Sequence, residues 1–145
     1  MTPMMDVVDV LGGKSALGMR GDVETIDLHN RIREGLPYRA LESMVDRFRL
    51  PKGPLSIVLA LPASTEVRRK REKRLSGGES DRLYRVARIL AHARRTFGSD
   101  EAASAWLRDP NRALGGSTPL DLLETELGSD EVEMVLGRID YGVIS

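Results

Sequence analysis

Six basic side chains fall between Glu66 and Arg74, namely Arg68, Arg69, Lys70, Arg71, Lys73 and Arg74, and no other stretch of the chain is so dense in chemistry. Such residues neutralise phosphates, and an arginine can also bind the two acceptors of guanine with its planar fork. The run carries no Gln or Asn, the usual readers of adenine. A helix beginning at Ser64 and running through Arg74 would carry it, after a short helix near Gly53–Ala60 and a turn through Leu61, Pro62 and Ala63. A short helix, a tight turn and a basic helix form the helix-turn-helix arrangement, whose second helix enters the major groove. With Val67 and Leu75 taken as the buried side, Thr65, Arg69 and Lys73 point away from the core and Arg68 and Lys70 flank that face. These five are the expected DNA-contacting residues; the other reading is a scaffold helix whose arginines pair with acidic partners.

The remaining candidates for chemistry do not combine. His29 and His92 are far apart in a chain without cysteine, so a metal site is not expected. Asp121 with Glu124, and Asp130 with Glu131 and Glu133, are acids in the first turns of helices, which the helix macrodipole accounts for. Gly12-Gly13-Lys14-Ser15 echoes a phosphate loop but lacks the upstream glycine that a P-loop needs. A Ser or Thr nucleophile would need a base within reach, and the second half of the chain offers only His92. Neither catalysis nor a cofactor is expected. The stretch from Trp106 to Ser145 is dense in Pro, Gly and apolar residues, has no Cys or His, and ends in Arg138-Ile139-Asp140-Tyr141-Gly142-Val143-Ile144-Ser145. Val143, Ile144 and Ser145 follow a helix-stopping glycine and are too short to pack as an element, so they are expected either to be exposed for a partner or to fold back on the core.

Length and charge bound the rest. A chain of 145 residues can bury one core or two small helical ones. Without cysteine, a reducing compartment and hence the cytoplasm is the expected address, and no apolar run approaches the roughly 20 residues of a membrane span. A formal net charge of zero hides a segregation: residues 1–63 are balanced, residues 64–95 carry 11 basic and 4 acidic side chains, and residues 96–145 carry 3 basic and 10 acidic ones. A chain polarised in this way can offer one face to a polyanion while its acidic end meets something else.

The elements that must position these residues read as helices nearly throughout, so the fold class is all-α. Leu41, Met44, Val45 and Phe48, then Leu83, Val86, Ala87 and Leu90, then Val132, Val135, Leu136 and Ile139 repeat at helical spacing, and no segment alternates as a half-buried strand does. Gly35 should close a helix around Thr25–Glu34, and Pro37 should open the next. Ser76 with Glu79 fits a capping box, Gly98 should end the long helix, Asp109 before Pro110 should stop the helix of Trp106, and Thr118-Pro119 should begin another. Gly128 and Gly142 are expected to stop the last two helices. Trp106, beside Ala102, Ala103 and Leu107, is expected in the core. Residues 1–20 show no legible element.

Ser76-Gly-Gly-Glu-Ser-Asp-Arg-Leu, Trp106-Leu107, Pro110-Asn111, Gly116-Ser-Thr-Pro-Leu-Asp-Leu-Leu, Gly128 and Leu136-Gly-Arg-Ile-Asp-Tyr-Gly, in this order and spacing, resemble the toxin-binding domain of Xre/MbcA/ParS-type antitoxins. Gly35-Leu36-Pro37, Leu50–Leu61 and Arg68-Arg69-Lys70 resemble the Xre-like helix-turn-helix half of the same family. The resemblance implies a poorly defined segment 1–20, a helix-turn-helix module 21–75 and a toxin-binding domain 76–145. It implies a type II antitoxin that silences a toxin encoded beside it, a RES-domain enzyme that consumes NAD or a related ADP-ribosyltransferase, and that binds operator DNA to repress its own operon. In that family the C-terminal end reaches the toxin's active-site cleft, which assigns the toxin contact here to Arg138, Tyr141, Gly142, Val143, Ile144 and Ser145. A homodimer that joins the toxin in a larger hetero-oligomer is expected, since operators are read as paired half-sites. A stand-alone helix-turn-helix regulator, with a C-terminal domain that dimerises or senses a ligand, is the alternative.

Overall fold

A computed structural model describes residues 2–142, and within them the chain is helical, with no strand among the described residues. The axis of the molecule is α7 (Gly77–Phe97), the longest helix. Its start is fixed as the spacing predicts: Glu79 N–H donates to Ser76 Oγ at 3.2 Å, and Ser76 N–H donates to the Glu79 carboxylate at 2.8 Å. Two of the donors that every helix start leaves orphaned are thereby satisfied. Leu83, Val86, Ala87, Ile89, Leu90, Ala91 and Ala93 are all fully buried, so the apolar surface of this helix wraps most of its girth. A helix apolar on so many sides must be surrounded. α1 (Met4–Val10), α3 (Thr25–Glu34), α8 (Asp100–Arg108) and α10 (Glu126–Asp140) pack around it.

The first twenty residues, illegible in the sequence, contain two helices, α1 and α2 (Gly13–Leu17). Val7, Val8, Val10, Leu11 and Leu17 are buried, which places this segment in the core. The two helices are too short to display a helical period, which is why the pattern did not announce them. Between them Gly12 holds φ +100°, where a side chain would press on Ala16 and Ser43.

After α3 the chain turns through Gly35-Leu36-Pro37 into α4 (Tyr38–Phe48), then α5 (Lys52–Val58) and α6 (Ala63–Glu72). The α5–α6 turn is tightened by Leu61 N–H donating to Ser56 O at 2.9 Å, with Ala60 in the left-handed region. Beyond α7, Ser99 caps α8, and Asp109 ends it in extended geometry. A 3-10 turn follows at Arg112–Leu114, then α9 (Pro119–Leu122) capped by Thr118, and α10 capped by Thr125. Trp106 is half-buried, packed on the core with its ring 5.5 Å from that of Phe97.

Gly128 does not stop a helix, contrary to expectation. It lies in the first turn of α10, buried, with no room for a side chain, because a Cβ there would overlap the carbonyl oxygen of Leu122 at the end of α9. Its role is to let two helices approach. Gly142, at φ +77°, does follow the end of α10.

Candidate functional site

The basic helix α6 is rotated from the orientation that its sequence suggests. Val67, taken as a buried anchor, is 66% exposed, and no residue of α6 is buried. It lines a groove of about 400 Å³ between α4, α5 and α6, together with Tyr38, Leu41, Val45 and Leu55. The helix is held to the body by polar contacts instead. On one side Tyr38 Oη donates to Glu66 Oε1 at 3.2 Å, and burial together with that neighbouring carboxylate pushes the phenol up to about 12. On the other side Arg69 donates to both oxygens of Glu79, at 2.7 and 3.1 Å, and reaches Glu72 at 3.4 Å.

Arg69 therefore faces inward, where the wheel placed it on the DNA side. Its carboxylate partner Glu79 is 5% exposed and belongs to the capping box of α7, so a single arginine ties the basic helix to the start of the axial helix. Burial raises the Glu79 pKa, but the hydrogen bonds from Arg69 and from Ser76 N–H outweigh it and hold the carboxyl below its ordinary value. The arrangement satisfies what a buried ion pair requires, namely bidentate geometry with further donors on the carboxylate. The end of α6 is fastened as well. Tyr38 N–H donates to Lys73 O at 3.1 Å and Leu75 N–H to Leu36 O at 2.9 Å, an antiparallel bridge that Gly35 permits because any side chain there would overlap Leu75 O.

With Arg69 turned in, a rotation of 100° per residue puts Ser64, Val67, Arg68 and Arg71 on the outer face of α6. Thr65 is half-buried on the inner flank, and Lys70, Lys73 and Arg74 are exposed. Arg68, Lys70, Arg71, Lys73 and Arg74 make no ion pair within the described residues. The other arginines of the basic block are used internally. Arg82 donates to Leu59 O at 2.7 Å, Arg85 pairs with Glu126 at 3.1 Å, Arg88 with Glu133 at 3.4 Å, and Arg94 with Asp9 at 2.8 Å. The segregation seen along the sequence is thus spent in part on joining α7 to α10. What reaches the surface is a compact cationic face on α6.

α10 presents the second surface. Val132, Val135 and Leu136 are buried against the body, while Leu127, Met134 and Tyr141 are 75%, 51% and 89% exposed. Arg138 and Gly142, expected at the toxin contact, are exposed beside Tyr141, and Val143, Ile144 and Ser145 lie outside the described residues. The end of α10 is pinned by His92, whose Nδ1 is 2.6 Å from Glu133 and whose Nε2 is 2.6 Å from Asp140; Thr96 donates to the other Asp140 oxygen at 2.6 Å. Glu133 and then Asp140 raise the imidazole pKa, against its burial. In the sequence His92 figures only as a base far from His29. Its partners lie more than 40 residues away, so no local pattern could have named them. Among the described residues no group of three or more His, Asp or Glu side chains is arranged to hold a metal ion, and no helix is long and apolar enough to cross a membrane.

Comparison with known proteins matches two domains, which meet within α7. Residues 27–88 match the antitoxin Xre-like helix-turn-helix domain, and residues 92–142 match the antitoxin Xre/MbcA/ParS C-terminal toxin-binding domain. A protein of Photorhabdus laumondii named antitoxin Xre is 31% identical over 79% of this chain and 78% of its own length. An antitoxin Xre of Pseudomonas putida is 34% identical over 80% of this chain and 72% of its own length. A Sphingobium protein named Prs ADP-ribosylating antitoxin is 32% identical over 49% of this chain and 50% of its own length.

Proposed function

The chain belongs to the Xre/MbcA/ParS antitoxin family, and from that premise we propose that it is a type II antitoxin, neutralising a toxin encoded beside it and repressing their shared operon. The toxin is a RES-domain enzyme that consumes NAD or a related ADP-ribosyltransferase; the words ADP-ribosylating antitoxin in the name of the Sphingobium relative support the second of these. Arg138, Tyr141, Gly142, Val143, Ile144 and Ser145 form the contact at its active-site cleft. Arg68, Lys70 and Lys73, joined by Arg71, clamp operator phosphates, and Thr65 and Arg69 position the helix that carries them. The protein acts as a homodimer in the cytoplasm and joins the toxin in a larger hetero-oligomer.

The observation that carries this reading is the separation of two unsatisfied surfaces along one rigid element. α6 is tied to α7 at Glu79, and the end of α10 is tied to it at His92. Thirteen residues of helix hold these attachments about 20 Å apart, so DNA and a protein partner can be engaged at once. The test has two arms: co-purification with the product of the adjacent reading frame, and binding of the purified protein to the DNA upstream of its own gene. Both are expected. DNA binding without any toxin partner would make the protein a stand-alone regulator, and capture of the neighbour without DNA binding would make α6 a scaffold helix.

A further inference from the structure

Three of the large apolar side chains that this protein leaves exposed lie on α10 and its C-cap at seven-residue intervals: Leu127, Met134 and Tyr141. Seven residues are close to two full turns, so the three line up within about 40° along some 21 Å of α10. The face opposite is fully committed, with Gly128 and Ser129 against α9 and Val132, Val135 and Leu136 in the core. From this ridge we infer that α10 docks along its length into an apolar groove of the toxin with a basic rim, so that affinity comes from Leu127 and Met134 as well as from the end of the helix. The inference rests on the toxin-binding reading above and extends its contact about three turns along α10 beyond Arg138.

The shape and charge of the ridge identify its occupant. A second copy of the chain would need a wider seam, because self-pairing helices bury two apolar positions in each heptad. Here the second position holds Asp130 and Glu131, then Gly137 and Arg138, all polar or bare. Three side chains also fall well short of the roughly 800 Å² that each partner of a standard interface contributes. A narrow convex ridge gains contact area only inside a concave surface that also covers the stems of its charged flanks, and an enzyme that holds a nucleotide has such a cleft. The flanks state the rim's charge. Asp130 and Glu131 are exposed and make no ion pair among the described residues, whereas Glu126, Glu133 and Asp140, on the inner flank, are already paired with Arg85, Arg88 and His92. Lysine or arginine side chains of the toxin should therefore meet Asp130 and Glu131, and a carboxylate should meet Arg138.

The experiment is titration of the purified product of the adjacent toxin gene with four proteins: the full chain, Leu127→Ala/Met134→Ala, Met134→Arg, and Asp130→Lys/Glu131→Lys. All the replaced side chains are exposed, so melting temperatures should stay near that of the full chain. The double alanine protein should bind at least tenfold more weakly, since two central apolar anchors are removed. Met134→Arg should lose more, and the charge reversal should bind more weakly with an association rate that salt no longer slows. Affinities within twofold of the full chain for all three variants would overturn the ridge while leaving toxin binding intact. Failure of the full chain itself to bind would overturn the reading on which the ridge rests. Sedimentation of the free proteins closes the remaining route: if Met134→Arg breaks a self-assembly of the full chain and leaves toxin affinity unchanged, the ridge is a contact between copies and the inference is wrong.

Discussion

Replacing Gly128 by alanine should destabilise the protein, whereas the same replacement at Gly137, in the same helix, should stabilise it. Alanine is favoured over glycine inside a helix by about 0.8–1.0 kcal/mol, a gain that Gly137 would collect and that is an upper bound for Gly128, in the first turn. At Gly137 no atom lies within 4 Å of where the Cβ would sit, so the gain should survive nearly whole. At Gly128 the Cβ would overlap the Leu122 carbonyl oxygen, lie 2.9 Å from the carbonyl carbon and 3.0 Å from Thr125 Oγ1. These atoms are the backbone of α9 and the cap of α10, and neither can rotate away. Forcing an extra methyl into such a contact costs about 1–3 kcal/mol, more where backbone must part, so a net loss of about 2 kcal/mol remains after the helical gain. For a chain of this size that corresponds to a fall of roughly 5–8 °C in melting temperature, against a rise of roughly 2–4 °C for Gly137→Ala. Thermal and urea unfolding followed by far-UV circular dichroism would measure both. A Gly128→Ala protein that melts at or above the parent would refute the close approach of α9 and α10, and with it the placement of the α10 ridge.

Three further outcomes follow from particular contacts. Arg68→Gln and Arg71→Gln should each flatten the slope of log K against log salt for operator binding by about 0.9, as measured by fluorescence anisotropy; unchanged slopes would take these residues off the phosphates. Arg69→Ala should lower the melting temperature, because it strands the buried Glu79 carboxylate, while Arg68→Ala should leave it alone; equal effects would mean that Arg69 is not the tie between α6 and α7. His92 has its pKa raised above the ordinary 6.5 by Glu133 and Asp140, so its contribution to stability is full below that value and is lost as pH rises through the folded pKa. Asp140, held below its ordinary 3.8 by Thr96 and His92 against burial, loses its contribution only in acid. Melting temperature should therefore decline in the parent as pH rises above about 6.5, and His92→Gln should remove that part of the decline.

The helices with caps and long apolar stripes were legible because their signals are local. Thr25–Glu34, the Ser76 and Glu79 capping box, Gly98, Asp109-Pro110 and Thr118-Pro119 each mark a boundary through the backbone chemistry of one or two residues. What was misjudged depends on groups distant in sequence. Val67 is apolar, but α6 has no apolar face to bury, and Arg69 rather than Val67 decides its rotation by finding Glu79. Gly128 reads as a stop until α9 is seen to press on it. The cationic face was located to the right helix and partly to the wrong side of it, because a helical wheel needs one buried anchor and the anchor chosen was exposed. The α10 ridge was legible in principle. Leu127, Met134 and Tyr141 are apolar at constant spacing, but alongside the core stripe of Val132, Val135, Leu136 and Ile139 they read as the remainder of an amphipathic helix.

The proposal that this antitoxin silences its toxin with the segment beyond Tyr141 is tested most directly by the turnover of NAD by the toxin in two purified complexes. One contains the full chain and the other a chain lacking Val143, Ile144 and Ser145. Removal of three residues beyond Gly142 should leave the helices and the α10 ridge in place, so both complexes should form with similar affinity. The complex with the full chain should be silent, and the truncated one should consume NAD at a rate approaching that of the free toxin. A truncated chain that binds and still silences the toxin completely would contradict the account, and inhibition would then have to arise from the surface of α10 alone.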